Sequence, residues 1–456
     1  MLRSRREGDR MARGPFTGAP SADEGAFERL KSSIDPKWIE DALDATGTAS
    51  LRKRRLPAEQ VIWLVLGMAL YRHRPIDELV GRLDLVLPGT GPVNVARGGV
   101  AQARARLGDE PMKWLFEKCA RKWGHESARR HAWRGLALYG VDGTTARVPD
   151  SKENRKHFGS QDAGMGRGIS GYPLTRIVTL MALRSHILAG ARFGPYDDER
   201  HYAAELWPHL PSDSLAIVDR MFLSAGLLIG LRREGHNRHW LTRATSRTHW
   251  TVSEKLGRGD ALVEIEVNRS ARAIDPFLPH KWLVRAIAYQ RRGFRPQTLL
   301  TSLLDADAYP AKEIVDRYHD RWETELGFDE VKTDMLERQE AIRSKTPTGV
   351  AQELWGVGLA YNLVRLEMER VADEAKVLPN RISFLMSLRL IRDEWMWSSG
   401  AAPGAIPKHL RELREDIKRF VLPPRRRGRS YPRAVKIKMS NYDRNRPAAM
   451  RVGAAK

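Results

Sequence analysis

The chain has few of the residues that disulfides, cysteine-rich zinc sites and membrane spans require. Cys119 is the single cysteine among 456 residues, so an internal disulfide is impossible and a cysteine-rich zinc site is excluded. The longest apolar run, Val61 to Tyr71, is too short to span a bilayer and predicts a buried helix. Met1 to Pro20 is basic but lacks the apolar stretch of a secretory signal. We therefore expect a cytoplasmic protein without a membrane partner.

Positive charge is in large excess. Lysine and arginine number 78 against 56 aspartate and glutamate residues, which gives a formal net charge of +22 and a pI near 10.2. Such an excess indicates a polyanionic partner, most commonly nucleic acid. A ribosome-like role, a membrane-surface role, or a basic protein without such a partner are the alternatives. The length allows two or three domains with a large core.

Two basic runs flank the central part of the chain. Each reads either as a set of phosphate contacts or as solvated, unstructured chain. We predict a disordered basic arm over residues 1–22, a helical domain over 23–110 and a basic tail over 416–456. The runs that we select as candidate DNA contacts are Arg52, Lys53, Arg54 and Arg55, and then Arg425, Arg426 and Arg427.

Residues 111–415 have the pattern of an α/β domain. Two apolar strands end in an acid, Leu136 to Asp142 and Ser214 to Asp219, and a second strand is predicted over Thr145 to Val148 after a tight turn. Strands then alternate with helices, apart from a β-rich insertion at about 245–305, which favours a sheet of mixed direction. Acids at the carboxyl ends of such strands face the crevice where ligands bind, although strand-end aspartates more often form turns or helix caps.

A third acid lies in the stretch Tyr318 to Lys332. Tyr318, Arg321, Glu325 and Lys332 are spaced by three, four and seven residues. In one continuous helix they fall within an arc of roughly 60° on one face. Glu325 is suited to a divalent cation, and the two basic side chains are suited to phosphate. The alternative is a solvated helix face with weak ion pairs.

The pattern Tyr-x₂-Arg-x₃-Glu-x₆-Lys resembles the YREK signature of the insertion sequence 4 family of bacterial DDE transposases, and Trp322 also fits. His319 and Thr324 depart from the common pattern without touching its four signature residues. Val141-Asp142-Gly143-Thr144-Thr145 and Val218-Asp219-Arg220-x-Phe222 resemble the family's first and second acid motifs. The resemblance implies an RNase H-like catalytic core with a β-rich insertion, preceded by a helical N-terminal DNA-binding domain.

The resemblance also implies a chemistry. Asp142, Asp219 and Glu325 would form the catalytic triad and bind two Mg²⁺, for which Mn²⁺ can substitute. The enzyme would cut the element's ends, form DNA hairpins, reopen them and join the ends to target DNA. The partners would be terminal inverted repeats and target DNA, bound by a homodimer. The residues expected to hold the DNA end are Tyr318, Arg321, Trp322 and Lys332.

Two other functions fit part of this pattern. A catalytically inactive regulator derived from such an enzyme would share the positive charge, but it would be free to lose the complete triad. An RNase H-like nuclease without strand transfer would keep the triad. Inverted repeats flanking the gene would favour transposition over both.

Overall fold

The structure is a computed structural model that describes residues 34–49, 56–82, 97–159, 172–291, 295–337, 342–397 and 406–424. In these ranges no helix has the length and apolarity needed to cross a membrane. Several predicted features lie outside the described residues. They are the arm 1–22, most of the tail 416–456, and the basic runs Arg52, Lys53, Arg54, Arg55, Arg425, Arg426 and Arg427.

The N-terminal part is helical, as predicted. Asp35 caps the first helix, because its carboxylate accepts a hydrogen bond from the Lys37 N–H at 3.0 Å. The second helix is apolar all round and is buried over almost its whole length, as its sequence predicts. The helices are α1 (Pro36–Ala45), α2 (Ala58–Leu70), α3 (Ile76–Arg82), α4 (Arg97–Leu107) and α5 (Glu110–Arg130).

The central sheet has mixed direction, which confirms the α/β class. Its first five strands lie in the order β3-β2-β1-β4-β5, with β1 antiparallel to β2 and parallel to β4. This is the RNase H-like arrangement. The strands are β1 (Ala137–Arg147), β2 (Leu174–Ala182), β3 (Leu188–Gly194), β4 (Ser214–Val218) and β5 (Arg238–Arg243); the helices among them are α6 (Lys152–Phe158), α7 (Glu199–Ala204) and α8 (Ala225–Arg233).

Among the residues that the structure describes, the β-rich stretch extends this sheet to nine strands. The last strand of the stretch pairs antiparallel with β5, and the others follow outward in the order β9-β8-β7-β6. Arg285 is buried at the base, where it pairs with Asp260 and donates to the Tyr309 carbonyl at 2.7 Å. The elements are β6 (Thr251–Gly257), β7 (Asp260–Glu266), α9 (Arg269–Ile274), β8 (Lys281–Tyr289) and β9 (Gln297–Thr301).

The first acid does not end a strand, contrary to the prediction. No tight turn separates it from residues 145–148, because β1 stays paired with β2 without a break from Tyr139 to Arg147. The parallel pairing of β1 with β4, by contrast, stops just before Asp142. Its last pair is Val141 with Val218, so Asp142 in β1 and Asp219, the residue that follows β4, come directly after that pair. The backbone positions of the two acids are therefore next to each other.

The stretch that carries Glu325 is not one continuous helix, so that prediction is wrong. The backbone tightens where Arg321 N–H bonds to the Tyr318 carbonyl three residues back, and a π-helical turn follows Asp329. The elements of this part are α10 (Ala311–His319), α11 (Trp322–Asp329), the π-helical turn Glu330–Met335, α12 (Pro347–Ala375), α13 (Phe384–Trp397) and α14 (Ile406–Lys418).

Gly140 lets α11 lie against β1. A Cβ at Gly140 would come within 2.5 Å of the Thr324 methyl group and 2.7 Å of a Leu183 methyl group. Thr324 is completely buried, so it has little room to move. This close contact lies two residues before Asp142 and one residue before Glu325.

Replacing Gly140 with alanine is expected to destabilise the protein by about 1–3 kcal/mol, the usual cost of overpacking a core. Gly230 in α8 is the matched control, since a Cβ there meets nothing within 4 Å. Gly230→Ala should stabilise by about 0.5–1 kcal/mol because alanine is the better helix former. Denaturant unfolding measures both changes. Equal stabilities of the two variants would contradict the packing described for Gly140.

Candidate active site

Three carboxylates converge on one guanidinium. Arg321 lies 2.7 Å from the Glu325 carboxylate, 3.6 Å from that of Asp142 and 3.8 Å from that of Asp219. Its side chain is only 11% exposed. The structure therefore brings together all three acids selected from the sequence and places Arg321 between them. The solvated face considered as the alternative does not describe Arg321.

Each acid is held by its own local structure. An Asp142 oxygen accepts the Gly143 N–H at 2.8 Å. Asp219 caps a short 3₁₀ turn by accepting the Met221 N–H at 3.1 Å, so it serves as a cap and also faces the cluster. Glu325 lies one helical turn after Arg321, and the pair is an i,i+4 ion pair.

The cluster lies in a partly dehydrated, crowded environment. Burial raises the pKa of Asp142 to about 6, against the opposing effects of the Gly143 N–H and Arg321. The charges of Asp219 and Glu199 raise it further. Glu199 was not selected from the sequence. It pairs with Arg176 and lies directly over Gly143, where a Cβ would fall 2.5 Å from its carboxyl carbon.

The remaining signature residues surround the cluster in different ways. Tyr318 is only 8% exposed and packs in the core beside Arg321; burial is the main cause that raises its pKa. Lys332 reaches back from the π-helical turn and donates a hydrogen bond to the Thr144 hydroxyl on β1. Trp322 is 44% exposed, and its ring centre lies 5.5 Å from the Arg321 guanidinium. A large aromatic face is thus accessible next to the acids.

The donor chemistry of the cluster suits a hard divalent cation. Asp142, Asp219 and Glu325 supply only carboxylate oxygens, the ligand type that such cations prefer. Over the described part of the chain, no three His, Cys, Asp or Glu side chains are already grouped as a metal site. The three carboxylates are instead oriented towards Arg321. A cation bound among them would replace the guanidinium as their shared partner.

Sequence reasoning missed the residues that act through tertiary contacts. Thr144 lies within the first acid motif, but its hydrogen bond with Lys332 depends on a contact between residues 188 apart, which no local pattern indicates. Glu323 and Glu330 could have been noticed in the sequence, because they are acids two residues before and five residues after Glu325. Glu323 is 4% exposed and points into the core instead of the cluster.

Most of the chain matches known protein families and a known relative. Residues 24–117 match the family described as insertion element 4 transposase N-terminal, and residues 134–363 match the transposase DDE domain. The chain is 39% identical over 415 residues to the transposase InsG for insertion sequence element IS4 of Escherichia coli (strain K12). That alignment covers 91% of this chain and 92% of InsG.

One solved structure aligns over a similar length. It is described as a cryo-EM structure of the piggyBac transposase synaptic complex with hairpin DNA. The alignment has a TM-score of 0.39 and 12% sequence identity, and it covers 90% of this chain and 87% of that chain.

Replacing Arg321 with methionine is expected to strengthen Mn²⁺ binding in the absence of DNA by about tenfold. The reason is that a charge-assisted hydrogen bond of about 1.5 kcal/mol no longer competes for the carboxylates. Glu325→Gln should weaken binding, because it removes a carboxylate. Titration calorimetry measures both. Arg134→Met is the control, since Arg134 pairs with Glu313 away from the cluster. A loss of Mn²⁺ affinity in Arg321→Met as severe as in Glu325→Gln would contradict the competition.

Proposed function

The chain belongs to the insertion sequence 4 family of DDE transposases, enzymes of DNA cleavage and strand transfer, and on that premise we propose that it moves an insertion sequence by a cut-and-paste reaction. The observation that carries this proposal is the convergence of Asp142, Asp219 and Glu325 on one guanidinium. These acids are the catalytic triad of the proposed reaction. They come from three different elements, so their convergence is a property of the fold.

The DDE domain implies dependence on a divalent metal. We propose two Mg²⁺, with Mn²⁺ as a substitute, held by Asp142, Asp219 and Glu325. When bound, such ions activate the attacking oxygen and stabilise the leaving oxygen of an in-line displacement. The protein's own task is to hold the three carboxylates on one side of the scissile phosphate. The shared position next to Val141 and Val218 and the packing of α11 on β1 support that role.

The basic signature residues bind phosphates at the DNA end. Arg321 exchanges its carboxylate partners for phosphate oxygens when DNA is bound, and Lys332 holds a phosphate near Thr144. Tyr318 supports Arg321 from the core side. Trp322, which is exposed beside Arg321, stacks on a base extruded from the duplex.

The reaction has four proposed stages. Water cuts one strand at each element end and frees a 3′ hydroxyl. The hydroxyl attacks the opposite strand and closes a hairpin, which is reopened before the end is joined to target DNA. Because an element has two ends, a homodimer on the two inverted repeats is the proposed active form. Because the proposed substrate is chromosomal DNA, we propose that the protein acts in the bacterial cytoplasm, on the chromosome.

The two rival functions are weaker. A catalytically inactive regulator has no need for three carboxylates that converge within 4 Å of one guanidinium. A nuclease without strand transfer shares the triad, but the family to which the chain belongs consists of enzymes that also transfer strands. Assays that follow nicked, hairpin and joined products separate the three.

Asp142→Asn, Asp219→Asn and Glu325→Gln are each expected to abolish cleavage of element-end DNA while leaving end binding largely intact. Loss of one carboxylate removes charge stabilisation worth several kcal/mol, which is a rate loss of roughly a thousandfold or more. Asp307→Asn is the matched control, since Asp307 is exposed on a loop. Gel assays in Mg²⁺ report the products. A variant that nicks at near the wild-type rate shows that its residue is not in the triad.

Affinity for DNA is expected to fall steeply with salt, because backbone binding is driven by counterion release. Replacing Arg52, Lys53, Arg54 and Arg55 together with alanine should flatten the log–log slope by about 0.9 for each DNA phosphate that these side chains no longer neutralise. Fluorescence anisotropy over a salt series measures the slope. Lys418→Ala is the control, because Lys418 already pairs with Glu374 and Glu415. An unchanged slope in the fourfold variant would remove that run from the DNA interface.

A further inference from the structure

A tight turn between β2 and β3 contacts the signature stretch from behind. The turn consists of Arg184, Ser185 and His186, and we refer to it as the 184–186 turn. His186 has a φ of 61°, a left-handed conformation that costs free energy in a residue other than glycine. Its ring is 2% exposed. A strained and buried histidine at the tip of a hairpin needs compensating contacts.

Two of these contacts are with residues at or just before the start of α11, the helix that carries Glu325. The Arg184 guanidinium donates to the Asp320 carboxylate at 2.9 Å, one residue before Arg321. His186 Nε2 donates to the Glu323 carboxylate at 2.8 Å. The turn thus holds the start of α11 at two successive points.

A third contact reaches the end of the same stretch. The Arg365 guanidinium on α12 donates to His186 Nδ1 and also to the Glu330 carboxylate, which accepts a second hydrogen bond from the Tyr361 hydroxyl at 2.7 Å. Burial alone would raise the pKa of Glu330, but the Arg365 guanidinium beside it holds that pKa well below its usual range. An ionised Glu330 is therefore fixed in the core at the start of the π-helical turn.

These contacts lie on the opposite face of α11 from the candidate active site. Glu323 and Glu325 are two residues apart, which places them about 200° apart around the helix axis. Glu323 is 4% exposed and faces the turn, whereas Glu325 faces Arg321. A rotation of α11 that breaks the contact of Glu323 therefore moves the Glu325 carboxylate by a similar angle. Hydrogen bonds suit this task because they are directional, unlike apolar packing.

The 184–186 turn is itself fixed from several sides. The Ser185 hydroxyl bonds to the Ser127 hydroxyl of α5 at 2.7 Å. The Asn362 amide of α12 bonds to both the N–H and the carbonyl of Leu188, just after the turn. The Arg184 carbonyl accepts the Asn380 N–H at 3.0 Å. The turn is thus a fixed reference against which α11 is set.

We propose that the 184–186 turn is a positioning device for the reaction. Through Asp320, Glu323 and the Arg365–Glu330 pair, it sets the rotation of α11 at which Glu325 faces Asp142 and Asp219. His186 and Arg184 are positioning residues, since they do not touch the three acids. This inference rests on the proposed function, because it assumes that Glu325 belongs to the triad.

The test compares His186→Leu with His186→Gln. The two side chains are similar in size and meet the same backbone strain, but only glutamine can accept from Arg365 and donate to Glu323. His186→Leu should slow single-turnover nicking at saturating Mg²⁺ and DNA by about ten- to a hundredfold, the usual effect of a misplacement near 1 Å. Affinity for end DNA should stay within about threefold of wild type, as expected for a loss of transition-state stabilisation alone. His186→Gln should recover most of the rate.

Melting temperatures establish that each variant is folded at the assay temperature. If His186→Leu does not fold, Arg184→Met serves instead; it removes the donor to Asp320, which is less buried, and should slow nicking without altering end affinity. Calorimetry with Mn²⁺ adds a readout besides activity, because a misplaced Glu325 should weaken binding in His186→Leu and not in His186→Gln.

The proposal is overturned if His186→Leu nicks at the wild-type rate, or if His186→Gln is as slow as His186→Leu. These outcomes are distinct from failure of the proposed function. If the proposed function is wrong, Glu325→Gln itself nicks at the wild-type rate, whatever the rates of the His186 variants.

Discussion

The arrangement of the site depends on one guanidinium. Arg321 lies within 4 Å of three carboxylates that would otherwise repel one another in a partly dehydrated cluster. Two of the acids follow the last parallel pair of β1 and β4, and the third comes from α11. Their convergence therefore requires that the helix lie close against the sheet. Gly140 makes that approach possible, because a side chain there would occupy the space of Thr324.

The helix is held from both sides by different kinds of contact. On the front, Arg321 and the acids form ion pairs, which a cation and DNA phosphates replace in the proposed reaction. On the back, Glu323 and Glu330 form a buried, hydrogen-bonded network with His186, Arg365 and Tyr361. Breaking such a network is costly because it leaves a buried charge without a partner. The back is therefore suited to stay fixed during the partner exchange that we propose for the front.

Local patterns in the sequence predict the elements and the acids, but they do not predict the contacts between distant segments. Apolar runs ending in Asp142 and Asp219 and the Tyr-Arg-Glu-Lys spacing, together with the resemblance of these motifs to those of the family, selected three carboxylates that the fold brings together. Their role as a catalytic triad is a proposal. The same patterns wrongly predicted a turn after Asp142 and one continuous signature helix. The first depends on pairing with β2, and the second on a tightened turn at Arg321. The contact of His186 with Glu323 joins residues 137 apart, which no local pattern reveals.

The most direct test of the account is to locate bound metal. Crystals of the full chain with element-end DNA and Mn²⁺, measured at the manganese absorption edge, would show the positions of the ions by anomalous scattering. We expect anomalous peaks among Asp142, Asp219 and Glu325, with the Arg321 guanidinium displaced onto a DNA phosphate. Manganese bound elsewhere, with Arg321 still bridging the three carboxylates in the DNA complex, would contradict this expectation.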